Sequence, residues 1–216
     1  MHRRRRTALT VSAALLVAAP LLAACGSEAH PGAAAVVGGD RIEVSTVQAK
    51  VKDVRAAQQR SPQSAQLIKD SGQLSRAKLY DLIVERVVQR AADDAGVEVS
   101  RKEIQAGRAA LVQQSGGEEQ LAAMYLQQRG VAPGQLNDVV RRDVLVSKLA
   151  EALGATNTPE GQQKLNQAFT AAAKALDIDV NPRFGAWDDQ KLELGSYKAP
   201  WITQVSKEPE SVEAGA

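Results

Sequence analysis

Residues 76–104 read RAKLYDLIVERVVQRAADDAGVEVSRKEI, and this stretch decides the fold class. Leu79, Ile83, Val87, Ala91 and Ala95 recur every fourth residue, and Leu82, Val84 and Val88 widen the stripe. An apolar band at that period predicts a helix from about Arg76 to Ala95 with one face buried. Gly96 stands where a helix C-terminal cap is expected. Four residues later Ser100 and Glu103 have the spacing of a capping box, in which hydroxyl and carboxylate satisfy the first free amides of the next helix. That next helix carries Ile104 and Leu111 and is broken by Gly116-Gly117.

The same reading extends in both directions. C-terminally, a short helix with Leu121, Met124 and Tyr125 ends near Gly130. A long one from Pro133 carries Leu136, Val139, Val140, Val144, Val146, Leu149 and Leu153, and stops at Gly154. Thr158-Pro159 opens another, with Thr as N-cap and Pro at the first helical position; Leu165, Phe169, Ala172, Ala173 and Leu176 give it a buried face. Residues 177–184 read as extended, with Ile178 and Val180 alternating before Pro182. N-terminally, Ala35-Val36-Val37, a Gly38-Gly39-Asp40 turn and Arg41-Ile42-Glu43-Val44 read as two short strands. Ser45 with Gln48 forms a further capping-box pattern ahead of Val47, Val51 and Val54. Residues 61–73 are polar, contain Pro62 and Gly72, and read as mostly loop. From Trp187 onward regular structure is expected to decline, and 207–216 is an acidic, low-complexity stretch. The expected fold is mainly α, with a small β pairing between the N-terminal strand and the strand at 178–180, because a lone strand leaves its backbone polar groups unsatisfied.

The first 25 residues carry a different message. Arg3 to Arg6 form a basic segment, Ala8 to Ala24 contain no charge, and small residues cluster just before Cys25. This is the pattern of a secretory signal. Leu22-Ala23-Ala24-Cys25 also resembles the bacterial lipobox, which implies cleavage before Cys25 and attachment of diacylglycerol to its thiol. Two acyl chains give a stable anchor, since each buried methylene contributes about 0.8 kcal/mol. An uncleaved membrane helix is the rival reading, but the stretch is short for spanning and is interrupted by Pro20. The expected organisation is a signal peptide at 1–24, a lipidated tether at 25–34, a helical domain at 35–188 and an acidic tail at 189–216. The expected location is the extracytoplasmic face of the cell membrane.

Composition narrows the chemistry. The chain has 27 Lys plus Arg and 25 Asp plus Glu. Cleavage before Cys25 would remove four arginines and no acid, leaving 23 basic against 25 acidic residues and a net charge of −2. A nucleic-acid partner then lacks its main electrostatic argument. Cys25 is the one cysteine, and His2 and His30 are the two histidines. A zinc site or a Ser/His or Cys/His nucleophile therefore has no residues to use in the patterned region. No metal, cofactor or catalytic residue is assigned, and the protein is expected not to be an enzyme. Aromatics make up 3% of the chain, so few residues are available to stack on bases or sugars.

Several segments together resemble the SurA-type chaperone domain, found also in PrsA-like proteins. Residues 35–42, AVVGGDRI, followed by Ser45, are similar to that family's opening "A-V-V-N-G-E-x-I-T", with Gly38 in place of the usual Asn. Leu82-Ile83 through Ala95-Gly96-Val97-Glu98-Val99-Ser100 and Glu103-Ile104 match its "L-I-x-x-x-x-x-x-x-A-x-x-x-G-I-x-V-S-x-x-E-V" run. Gly130-Val131 and Arg141-Arg142-Asp143 to Leu149 are similar to the end of the helical part. Residues 179–188 resemble the closing strand "V-N-P-R-F-G-x-W". Many such proteins carry a parvulin prolyl-isomerase domain before the closing helix; here residues 154–158 bridge that point directly.

The resemblance implies a lipid-anchored chaperone that binds unfolded or newly exported polypeptides without isomerase activity. The alternatives are a non-catalytic scaffold for one dedicated envelope partner and, behind it, a solute-binding lipoprotein serving a transporter. The last needs two lobes of alternating strands and helices, which this pattern does not supply. Met124 and Tyr125 are candidate client contacts, although their spacing beside Leu121 favours core. Trp201, after Pro200, reads equally as a docking residue or as a pin for the tail.

Overall fold

The computed structural model describes residues 32–155 and 158–197. Cys25, the signal segment, Trp201 and the acidic stretch at 207–216 lie outside them.

Strand β1 (Ala33–Val37) turns at Gly38-Gly39 into β2 (Asp40–Glu43). Both glycines have positive φ, +62° and +82°. That is the backbone twist a two-residue hairpin needs, and residues with a side chain resist it. β1 is the middle strand of a three-stranded antiparallel sheet ordered β2-β1-β3, where β3 is Asp179–Val180. Ala35 pairs with Val180 and Val36 with Asp179, so the expected closure between the two ends of the domain is present. Asn181 extends it, its amide donating to the Ala34 carbonyl at 3.0 Å and its Nδ2 to the Ala33 carbonyl at 3.1 Å. Ala33 and Ala34, placed in the tether by the sequence, thus belong to β1 and are buried.

Seven helices follow among the described residues: α1 (Val44–Arg60), α2 (Ser64–Lys69), α3 (Leu74–Asp94), α4 (Arg101–Ser115), α5 (Glu118–Arg129), α6 (Leu136–Ala152) and α7 (Pro159–Ala175). A 3-10 turn at Pro133–Gln135 leads into α6. The long helix expected from about Arg76 is α3, the axis of the domain. Leu79, Ile83, Val87, Val88, Ala91 and Ala92 are buried in one core with Val37, Val47, Leu145, Leu149, Ala172 and Ala173. Full burial of a side chain such as Ile83 contributes roughly 1.5–3 kcal/mol. Gly96 and Val97 close α3, their amides donating to the carbonyls of Asp93 and Ala92. Arg86 ties the helix to the hairpin by donating to the Asp40 carbonyl at 2.8 Å and the Arg41 carbonyl at 3.2 Å.

Two of the three expected helix starts are found. Ser100 and Glu103 form the complete capping box of α4, and the Thr158 hydroxyl caps α7 ahead of Pro159. The Ser45–Gln48 box is not formed. β2 runs straight into α1, so the helix begins at Val44 with an extended Glu43 at its N-cap and no side-chain cap.

Residues 61–73 are not all loop, because they contain α2. Gln58, buried in α1, donates to the Leu67 carbonyl at 3.2 Å, and Arg55 donates to the Ser71 carbonyl at 3.1 Å. These bonds hold the polar segment against α1. Regular structure also continues past residue 188. β4 (Ala186–Asp188) pairs antiparallel with β5 (Glu193–Gly195). Their connection is held by the Asp188 carboxylate, which accepts from the amides of Gln190 and Lys191 at 2.9 and 3.1 Å. The Trp187 ring packs at a tilt on Tyr80 of α3, centroids 6.2 Å apart. No helix of the described residues is long and apolar enough to cross a membrane.

Candidate functional site: a cleft along helix α3

One side of α3 does not pack fully into the core. Asp81, Leu82, Glu85 and Gln89 lie along it, facing a cleft between α1 and α6. The lower part is a hollow of about 40 Å³ whose apolar side is the partly exposed Leu82 and the buried Val131 and Val139. The upper part continues past Leu82 and Glu85 to Ile42, Thr46, Gln89 and Arg141. Leu82 lies in both parts and is the apolar residue at their junction. Its sequence position widens the α3 stripe, and it packs against the core while remaining partly exposed.

Ion pairs line the rim. Lys50 of α1 reaches Asp138 of α6 at 2.7 Å, spanning the cleft. Lys78 meets Asp81 at 2.7 Å, and its side chain is 3% exposed. Asp81 also faces Arg142 at 3.8 Å, and Glu85 faces Arg141 at 3.7 Å. Gln135, buried in the 3-10 turn, donates from Nε2 to the Lys50 carbonyl at 3.0 Å, fixing α1 against the entry to α6. The lower part therefore carries Lys50, Lys78 and Arg142 against Asp81, Glu85 and Asp138, three charges of each sign. Such a lining exerts little long-range pull on a charged partner. It combines the partly exposed Leu82 with hydrogen-bond donors and acceptors on both sides.

The cleft presents one partly exposed leucine inside a charged rim. Elsewhere the large hydrophobic side chains on the described surface are scattered: Ile68, Tyr80 and Tyr197.

Met124 and Tyr125 sit behind the cleft, not in its lining. Tyr125 is buried with Leu121, Val131, Leu136 and Val139, and Met124 packs at the edge of the same cluster. The Arg129 guanidinium covers the Tyr125 ring at 5.4 Å. They back the Val131 and Val139 wall, as core residues at helical spacing do. The lining residues Lys50, Asp81, Glu85, Gln135, Arg141 and Arg142 had no signal of their own in the sequence. They come from three helices and a turn, and only packing brings them together.

A second electrostatic feature braces the far side of α6. Glu103, in the α4 capping box, accepts from Lys148 Nζ at 2.5 Å and from the Ser100 amide at 2.7 Å. The Lys148 bond, then the Ser100 bonds, lower its pKa from the ordinary 4.5 to about 2.

The connection from α6 to α7 spans only residues 153–158, so the closing helix follows the helical part directly. No curated protein and no solved structure matches the chain. A family profile described as the SurA-like N-terminal domain matches residues 1–150, which covers the hairpin and helices as far as most of α6. α7 and β3 lie beyond that match, but they complete the sheet and core of the same fold. The chain belongs to the SurA-like N-terminal domain family, a chaperone-type, non-catalytic domain family associated with binding polypeptide clients.

Proposed function

We propose that this protein is a lipid-anchored extracytoplasmic chaperone that holds unfolded or newly exported polypeptides in the α3 cleft and does not isomerise prolyl bonds. The observation that carries the reading is the cleft itself, in a family of chaperone type. Leu82 provides apolar contact, backed by the buried Val131 and Val139, and the paired rim charges accept the backbone and polar side chains of many sequences. A client loses chain entropy when held, and a narrow cleft cannot match any one sequence closely, so affinity is modest. With balanced charges, raising the salt concentration weakens binding only slightly, because there is little net field to screen.

The lipobox pattern at Leu22 to Cys25 supports the anchor. A thioether to diacylglycerol needs the thiol, so Cys25→Ser abolishes lipidation and cleavage at this position. Intact-mass analysis of the protein from its native membrane tests this: a diacylated chain beginning at Cys25 supports the reading, and an unmodified cysteine refutes it. The short α6–α7 connection supports the lack of an isomerase domain.

Light scattering of a refolding client tests the chaperone function, with a standard prolyl-peptide assay beside it. Suppressed aggregation at low and high salt without isomerase activity is the expected result. Unchanged aggregation at several-fold molar excess favours a scaffold for one dedicated partner, which a pull-down would then return in stoichiometric amount.

A further inference from the structure

Away from the cleft, the start of α3 and the segment after β3 enclose a second pocket whose lining contains Arg76, Arg183, Gln48, Gln73 and Phe184 and no acidic residue. Arg55, Arg86, Arg90, Arg108, Arg141 and Arg142 have side-chain partners, whereas the side chains of Arg76 and Arg183 have none among the described residues. Arg76 is the sharper case. Its Nε is buried and has no hydrogen-bond partner. Its Nη2 lies against Gly185, where an added Cβ would fall 3.0 Å from it and 2.2 Å from the Gly195 carbonyl oxygen. The backbone at Gly185, just before β4, thus runs close beside the guanidinium and supplies no anion. A buried donor left unsatisfied costs about 1–3 kcal/mol, more when charged, so an orphaned guanidinium beside a second one marks a place for an acceptor. The first turn of α3 adds to the positive field, since it has no side-chain cap and no acidic residue.

We propose that Arg76 and Arg183 form a binding site for a carboxylate presented by a polypeptide, with Phe184 and Val44 contacting the adjoining apolar part. The planar fork of a guanidinium matches the two oxygens of a carboxylate. An anion on an apolar stem fits a pocket that combines arginines with Val44 and Phe184. This deepens the polypeptide-binding reading by adding a charged anchor point separate from the α3 cleft.

The test uses three acetylated peptides of one sequence: one with a free C-terminal carboxylate, one amidated, and one amidated with a central Glu. Binding is read from the arginine Nε–H resonances, assigned with Arg76→Lys and Arg183→Lys, and inorganic phosphate forms a fourth arm. The carboxylate-bearing peptides should shift both resonances, the amidated peptide should not, and Arg76→Gln should weaken binding about tenfold or more. Response to the C-terminal peptide alone would assign the site to chain ends; response to the Glu peptide as well would assign it to carboxylates generally. Arg183→Gln, at an exposed position, provides the weakened variant if Arg76→Gln does not fold. Equal binding of the amidated peptide, a response to phosphate alone, or no response would overturn the proposal. Client aggregation measured on the same samples separates the two readings: suppression without a peptide response removes only the carboxylate site, and a peptide response without suppression removes only the chaperone function.

Discussion

Replacing Asn181 probes the closure of the domain at a single side chain. Its Nδ2 donates to the Ala33 carbonyl at 3.1 Å, and its Oδ1 accepts from the Arg183 amide at 3.1 Å. Ala33 is buried, so Asn181→Ala leaves its carbonyl short of a donor, which costs about 1–3 kcal/mol. The Arg183 bond is exposed and adds roughly 0.5 kcal/mol. For a domain of this size each kcal/mol moves the melting temperature by about 2–4 °C, so a fall of roughly 3–14 °C is expected. Asn181→Asp separates the two bonds. It keeps the acceptor for Arg183 but sets a carboxylate against the Ala33 carbonyl, so near neutral pH it should be the less stable variant. Below roughly pH 4 its carboxyl is protonated and can donate, and the order of the two variants should reverse. Differential scanning calorimetry at both pH values reads this directly. A melting temperature within about 1 °C of the wild type for both variants would refute the claim that Asn181 locks β3 to β1.

Three further outcomes follow from named contacts. Glu103 has its pKa lowered in the fold, so its contribution is fully present above the unfolded value near 4.5 and is lost as pH falls through about 2. Glu103→Gln should therefore flatten that part of the acid-unfolding curve, and an unchanged slope between those values would contradict the Lys148–Glu103–Ser100 link. Asp81→Ala leaves the buried Lys78 charge without its partner and should cost about 1–3 kcal/mol, since Asp81 is itself partly exposed. Lys78→Met should be near neutral by chemical denaturation, and equal losses for the two would show that the pair contributes through packing alone. Deleting residues 178–185 removes β3 and should abolish the whole cooperative transition; a retained full thermal transition would sink the closure model.

Much of the architecture was legible because its signals are local. The α3 stripe, the Ser100–Glu103 box, the Thr158-Pro159 start and the Gly38-Gly39 turn each depend on residues a few positions apart. The β1–β3 pairing could be inferred because each strand needs a partner and the chain offers few. The errors arose where tertiary contacts decide. Pro62 and Gly72 suggested mostly loop at 61–73, and the short α2 within it, held by Gln58 and Arg55 reaching across from α1, had no local signal. Ser45 was in register for a cap, yet β2 continues directly into the helix and leaves Glu43 at that position. The β4–β5 hairpin turns through Asp188 and Leu192, the latter at φ +54°, and its sequence has none of the glycine pairs that mark tight hairpins. The cleft was the least legible part, because its lining comes from α1, α3, the 3-10 turn and α6, and only the folded packing brings those residues together.

The most direct test of the account is binding of a permanently unfolded, fluorescently labelled client to the wild type and to Leu82→Glu, followed by anisotropy. Leu82 is half-buried at the junction of the two parts of the cleft, so the fold should tolerate the change while the apolar contact in the cleft is lost. Burying one leucine side chain against a client contributes roughly 1.5–3 kcal/mol, which corresponds to about tenfold or more in affinity. The account predicts micromolar-range or weaker binding by the wild type and at least about a tenfold loss in the variant, with its thermal transition retained. Equal affinity of the two proteins, or no binding by the wild type, would contradict it.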